Sequence, residues 1–271
     1  MKSAVTICLV PEARQGPFVF HEGLEPACRD AASLGFDGVE LFPASSADVA
    51  DPEVRRLLAA HGLGLAAVGT GAGWVQQGLH LVHPDAAVRR RARDFISAII
   101  DAAGSLGAPV ILGSMQGRSS GEVPREQALG LLTDALGDLG GHAARHGQVL
   151  LYEPLNRYET DLFNRQAEAA AFLETAALPH VKLLCDLFHM NIEEADVAGA
   201  VAACGRHVGH VHWADSNRRA VGFGHIEPAS VVAALRTIGY EGYLSAEVFP
   251  LPTADAAARR TIMSIRQHQV I

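Results

Sequence analysis

The 271-residue chain has few of the features that would mark it as a disulfide scaffold, a nucleic-acid binder or a membrane protein. Its four cysteines, Cys8, Cys28, Cys185 and Cys204, show no CxxC spacing, which excludes a zinc ribbon or redox motif and leaves buried free thiols. Positive charge is scarce, with a formal net charge of −8, and the one basic cluster, Arg89-Arg90-Arg91 with Arg93, falls inside a helical pattern. Nucleic-acid partners need a basic stripe, so none is expected. No apolar run is long enough to span a bilayer, and Met1-Lys2-Ser3-Ala4 enters a short strand with no signal-peptide core. The expectation is a cytoplasmic protein with no membrane partner. No Pro/Ser-rich linker or charge block divides the chain, so residues 1–271 read as one domain.

What is present is alternation. Short apolar or β-branched runs alternate with longer amphipathic stretches, the pattern of repeated βα units and a parallel sheet. Eight strands are predicted: Val5–Val10, Gly38–Phe42, Leu65–Gly69, Val110–Gly113, Val149–Glu153, Lys182–Asp186, Val208–His212 and Tyr243–Val248. Between them, sets such as Phe95, Ile96, Ile99, Ile100 and Ala103 repeat at helical period. The fold class is therefore α/β, a single-domain (β/α)8 barrel. Two connections exceed a minimal βα loop. Thr70–Pro84, glycine-rich around Trp74, reads as a lid, and Asp215–Pro228, with Arg218 and His225, as a polar loop over the site.

Four successive strands end on a possible metal ligand: Glu153, Asp186, His212 and Glu247. In a parallel barrel, functional side chains gather at the C-terminal strand ends, so these four should converge. Three carboxylates and an imidazole suit Mn²⁺, Co²⁺ or Mg²⁺ better than the thiolate cage of structural zinc. Taken singly, Asp186 could cap a helix, His212 could be a satisfied buried histidine, and either glutamate could pair with an arginine. Together they would repel one another without a cation. Cys185 should point away from Asp186, into the core.

The stretches Glu153-Pro154-Leu155-Asn156-Arg157-Tyr158-Glu159-Thr160, Asp186-Leu187-Phe188-His189-Met190-Asn191-Ile192-Glu193-Glu194 and His212-Trp213-Ala214-Asp215-Ser216-Asn217-Arg218 resemble the signatures of the D-tagatose 3-epimerase (ketose 3-epimerase) family. That family belongs to the xylose isomerase-like TIM barrels. Ala67-Val68-Gly69-Thr70-Gly71 and Gly78-Leu79-His80-Leu81-Val82-His83-Pro84 resemble its 5-keto-L-gluconate epimerase branch. Leu187 stands where the pattern usually has threonine and Val221 where it usually has proline, which bears on substrate identity.

The resemblance implies a metal-dependent epimerase, Mn²⁺ foremost, acting on a free ketose or keto-sugar acid through a cis-enediolate. Glu153, Asp186, His212 and Glu247 would be ligands, and Glu153 and Glu247 also the acid/base pair. Glu159, His189 and Arg218 would hold substrate oxygens, and a homodimer or homotetramer is implied. Inverting a carbon beside a ketone needs a base on one face and an acid on the other, which fits two glutamates on separated strands. Arg118 is a further candidate, for a substrate carboxylate, with a simple surface role as the alternative. Phe42, Trp74 and Phe249 could wall the sugar or pack in the core, and His225 could line the pocket or order the Asp215–Pro228 loop. An aldose–ketose or hydroxypyruvate-type isomerase is the nearest alternative. An apurinic endonuclease of the related barrel type and a non-catalytic sugar-binding barrel are the others.

Overall fold

A computed structural model describes residues 1–269. Eight parallel strands close in chain order: β1 (Lys2–Cys8), β2 (Gly38–Phe42), β3 (Gly64–Gly69), β4 (Val110–Leu112), β5 (Leu150–Tyr152), β6 (Val181–Asp186), β7 (Val208–His212) and β8 (Tyr243–Ala246). Closure is by pairing of Lys2 to Val5 with Tyr243 to Ala246. The strands are almost wholly buried on both faces, as the interior of a helix-jacketed sheet requires. Because both faces are apolar, the runs carry little alternation, and their ends are the least legible part. β1 stops two residues before Val10, where Pro11, which cannot donate to a ladder, opens a 3-10 turn. β8 stops at Ala246, so Glu247 stands free just beyond the last paired residue.

The barrel interior divides into two halves below the mouth. On one side Ala67, Ile111, Leu151 and Leu184, from β3 to β6, pack as an apolar plug. On the other, Thr6, Glu40, His210 and Ser245 are buried polar side chains from β1, β2, β7 and β8. Each lies two residues from another inward-facing position of its strand, because side chains alternate along a strand. All four cysteines are buried and free, and Cys185 packs outward with Leu187, Val211 and Trp213. No helix among the described residues is long and apolar enough to cross a membrane.

The Thr70–Pro84 segment is more ordered than a bare loop. Residues Ala72–Gln77 form a helix, ended by Gly78. Gln76 Nε2 donates to Glu12 Oε2 at 3.1 Å, tying this helix to the loop after β1 at the rim of the barrel.

Candidate active site

The four strand-end residues meet. His212 Nδ1 lies 3.3 Å from Asp186 Oδ2, 3.5 Å from Glu153 Oε1 and 3.6 Å from Glu247 Oε2. One ligand atom from each of the four sits within 4.8 Å of the others. The modest readings of the single residues turn out to be compatible with this convergence. Asp186 caps the helix Leu187–Glu193 through Oδ1, which accepts from Phe188 N at 2.7 Å and leaves Oδ2 facing inward. Glu247 pairs with Arg218, Nη2 to Oε2 at 2.6 Å. His212 has its far nitrogen satisfied, Nε2 to Glu40 Oε1 at 3.2 Å.

Glu153 reaches the centre over Gly113. A Cβ at Gly113 would lie 2.5 Å from Glu153 Oε2, so the absent side chain makes room for the carboxylate. Glu153 Oε1 is buried and has no hydrogen-bond partner, and the same holds for His189 Nε2. Buried polar atoms are nearly always partnered, so two orphans aimed at one point mark a place built for something else.

The electrostatics agree. Burial pushes the Glu247 carboxyl up to about 7; His212 and Arg218 pull it down, and the Glu153 and Asp186 carboxylates add to the rise. Burial also works against a charge on His212, yet Glu40, Glu247, Asp186 and Glu153 outweigh it and raise its pKa well above the ordinary value. Within the cluster, Glu247 and His212 are thus both biased toward the protonated form.

Three residues that sequence reading did not single out orient this constellation. Glu40 on β2 bridges His212 and, at 2.8 Å, His210 Nε2. Burial alone would raise its pKa, but the two imidazoles hold it well below the usual carboxylate range. An ionised Glu40 accepts the Nε2–H of His212 and leaves the Nδ1 lone pair for a ligand. Asn156 does the same for His189: Asn156 Nδ2 donates to Nδ1 at 2.7 Å, so the proton stands on Nε2, 3.8 Å from Glu153 Oε1 and 3.7 Å from Asp186 Oδ2.

Asp215 is the third. Its carboxylate accepts from the backbone N–H of Ser216, Gly222 and Ile226 at 2.7, 2.6 and 3.0 Å, gathering the Asp215–Pro228 loop around one buried charge. Burial opposes that charge, but the backbone donors lower its pKa. The loop in turn holds Arg218 at φ +56, a left-handed conformation that a side-chain-bearing residue keeps only when its surroundings dictate it. The guanidinium lies 4.9 Å from the Phe188 ring centre, with Nη1 3.9 Å from Glu159 Oε1.

Asp215→Ala is expected to destabilise the protein by about 2–3 kcal/mol, the loss of charge-assisted hydrogen bonds. For a chain of this size that is a Tm lower by roughly 5–10 °C. Because the folded-state pKa is depressed, this stabilisation is present above the unfolded value of about 4 and is lost as pH falls through the folded value. Thermal melts of both proteins should therefore draw together below about pH 4.

Above the cluster is a cavity of about 270 Å³. Its walls include Phe18, Phe42, Val75, Ile111 and Leu155, and its polar lining includes Glu153, Glu159, His189, Arg218 and Glu247. Three expected residues lie elsewhere. Arg118 is exposed, its charge acting on Asp161. Trp74 is largely exposed and edge-on to His80, while its helical neighbour Val75 faces the cavity. His225 is exposed, with its backbone N–H on Ser216 Oγ at 3.1 Å. The loop after β1, contributing Glu12, Ala13, Gly16 and Phe18, supplies wall that the sequence did not disclose.

Relatives give this geometry its class. The chain is 31% identical over 241 residues to an L-ribulose 3-epimerase of Mesorhizobium japonicum, covering 86% of this chain and 77% of that protein. It is 30% identical over 224 residues to a D-psicose 3-epimerase of Ruminiclostridium cellulolyticum, covering 80% and 75%. The protein is an enzyme of the isomerase class, a carbohydrate epimerase. Among solved structures it is similar to that of a D-psicose 3-epimerase crystallised in the presence of D-fructose, with a TM-score of 0.80, 25% identity and 98% and 99% of the two chains covered. The chain belongs to the xylose isomerase-like TIM barrel family, whose pattern matches residues 28–268.

Proposed function

We propose that this epimerase inverts the hydroxyl-bearing carbon beside the ketone of a free ketose, through a cis-enediolate, with Glu153 and Glu247 as the acid/base pair. The observation that carries the reading is the convergence of these two glutamates, each the residue just beyond β5 or β8, on one buried point beneath a cavity of sugar size. One carboxylate removes the proton on carbon and the other returns a proton to the opposite face, so the two need only exchange roles for the reverse reaction.

His189 donates from Nε2 and Arg218 from its guanidinium to substrate oxygens, and Glu159 steadies Arg218. The apolar wall of Phe18, Phe42 and Val75 covers the carbon face of the sugar and keeps water from the enediolate.

The residues fit a divalent cation. Three carboxylate oxygens and one imidazole nitrogen suit Mn²⁺ best, with Co²⁺ or Mg²⁺ as substitutes, and the unpartnered buried Glu153 Oε1 together with the crowding of carboxylates that raises Glu247 supports a cation there. Glu153, Asp186, His212 and Glu247 would hold it, and when bound it supplies Lewis-acid polarisation of the carbonyl and neighbouring hydroxyl oxygens. Glu40→Gln keeps the shape but gives His212 a partner that no longer fixes its tautomer by charge. A 10- to 100-fold weaker Mn²⁺ affinity is expected, read by titrating metal-free protein.

A keto-sugar acid is the less favoured substrate. Its carboxylate needs a cation, and Arg218, already paired with Glu247, is the only lysine or arginine among the described residues lining the cavity. The family also carries the expectation of a homodimer or homotetramer, which light scattering after size exclusion would test. The decisive experiment is turnover of a panel of ketoses and keto-acids in deuterium oxide. Deuterium at the carbon beside the ketone, with inverted product, is the expected result. Formation of an aldose would replace the proposal with isomerisation, and no exchange on any sugar with metal-loaded protein would leave only a sugar-binding barrel.

A further inference from the structure

Away from the mouth, two helices bring three metal-binding side chains together. Asp101 stands near the end of the helix Ala86–Gly104, and His142 and His146 close the helix Arg125–Arg145, His146 as its C-cap. Both helices lead into strands, β4 and β5, so these ends lie at the face of the barrel opposite the catalytic mouth. The i, i+4 spacing sets the two rings on one side of the helix. They are stacked at 10°, with both Nε2 atoms turned to the same oxygen, Asp101 Oδ1, at 2.6 and 2.9 Å. The three ligand atoms lie within 4.8 Å of one another.

We propose that Asp101, His142 and His146 form a second metal site, for a transition ion such as Zn²⁺ that accepts nitrogen and oxygen ligands, fastening these two helices together. Two features separate this cluster from an ordinary surface ion pair. A lone carboxylate needs one imidazole, and here a second is brought to the same atom. The His146 ring is also seated: a Cβ on Gly104 would come within 2.5 Å of it, so a residue without a side chain opens the place the ring occupies.

Two histidines at i and i+4 with a third ligand from elsewhere are a sufficient protein set for zinc, water completing the shell. Metal–ligand bonds near 2.0–2.1 Å place tetrahedral ligand atoms about 3.3 Å apart. The Nε2 to Oδ1 separations, 2.6 and 2.9 Å, need widen by roughly 0.7 and 0.4 Å, which the half-exposed Asp101 side chain permits.

The test is a Zn²⁺ titration of chelator-treated protein, counting bound equivalents by elemental analysis after dialysis, alongside thermal melts. His142→Gln with His146→Gln is expected to bind one Zn²⁺ fewer than the parent and to lose part of the Zn²⁺-induced rise in Tm. Asp101→Asn, a change on an exposed side chain that leaves the packing on Gly104 alone, should lose the same equivalent. Epimerase turnover under saturating Mn²⁺ should be unchanged in both. In an Asp186→Asn background, where the mouth is impaired, one equivalent should remain and disappear when Asp101→Asn is added. Equal Zn²⁺ stoichiometry in parent and Asp101→Asn proteins, with the histidine double variant also unchanged, overturns the proposal.

Discussion

Glu247→Gln is expected to lower kcat by roughly 10³- to 10⁴-fold, with the fold intact. A positioned general acid or base contributes about 10²–10⁴ in rate. The glutamine also puts a neutral amide where one of three carboxylates meets the cluster, which would weaken its hold on a cation, so the larger end of that range applies. Glu153→Gln should fall equally far, because each turnover needs one carboxylate to take a proton from carbon and the other to give one back. The double variant should be little worse than either single one, since groups that act as a unit are not additive. Steady-state kinetics at saturating Mn²⁺ measures all three. A Glu247→Gln enzyme keeping more than a tenth of parental kcat would assign the chemistry to another residue.

Removing the cation should be nearly as severe. Chelation followed by dialysis is expected to lower turnover by at least about 100-fold, with recovery on adding Mn²⁺, because neither orientation nor charge stabilisation survives without it. Stability should fall as well. A ligand held at 1,000 times its Kd contributes about 4 kcal/mol to the folded state.

The metal-free protein should also show a distinct pH response. Glu247 is pushed up to about 7 in the folded cluster, above the unfolded carboxylate value near 4.3, so the folded state holds the proton more tightly. The stability this supplies is fully present below about pH 4 and is lost as pH rises through about 7, and His212, raised for the opposite charge type, acts in the same sense. On the proposed reading a bound Mn²⁺ would replace those protons, so the loaded protein should hold its Tm across that range. Identical pH profiles for Tm with and without Mn²⁺ would count against a cation at this cluster.

The parallel barrel was legible because its eight strands are buried on both faces, and their apolar runs therefore stand out from the helical spacing between them. The metal-type cluster was legible for a related reason: Glu153, Asp186, His212 and Glu247 each interrupt or follow an apolar run where the chain leaves the sheet. What orients them was hidden. Glu40 looks like any acidic residue in a strand until barrel closure brings it to His212, 172 positions away in sequence. Asn156 and His189 are likewise joined only by the adjacency of β5 and β6.

Following a strand does not by itself fix where a loop carries its side chains. Arg118, Trp74 and His225 do not line the cavity, and His225 belongs instead to the loop that Asp215 gathers through backbone N–H groups.

The sequence by itself thus determined the architecture and the chemical identity of the converging side chains, since burial of apolar runs and alternation along a strand are local properties. Which nitrogen of each histidine faces the site, which loops wall the cavity and which cation remains available to a substrate were decided only in the tertiary structure. Those outcomes depend on hydrogen bonds and charges between residues far apart in the chain, whose energies exist only once the barrel has closed.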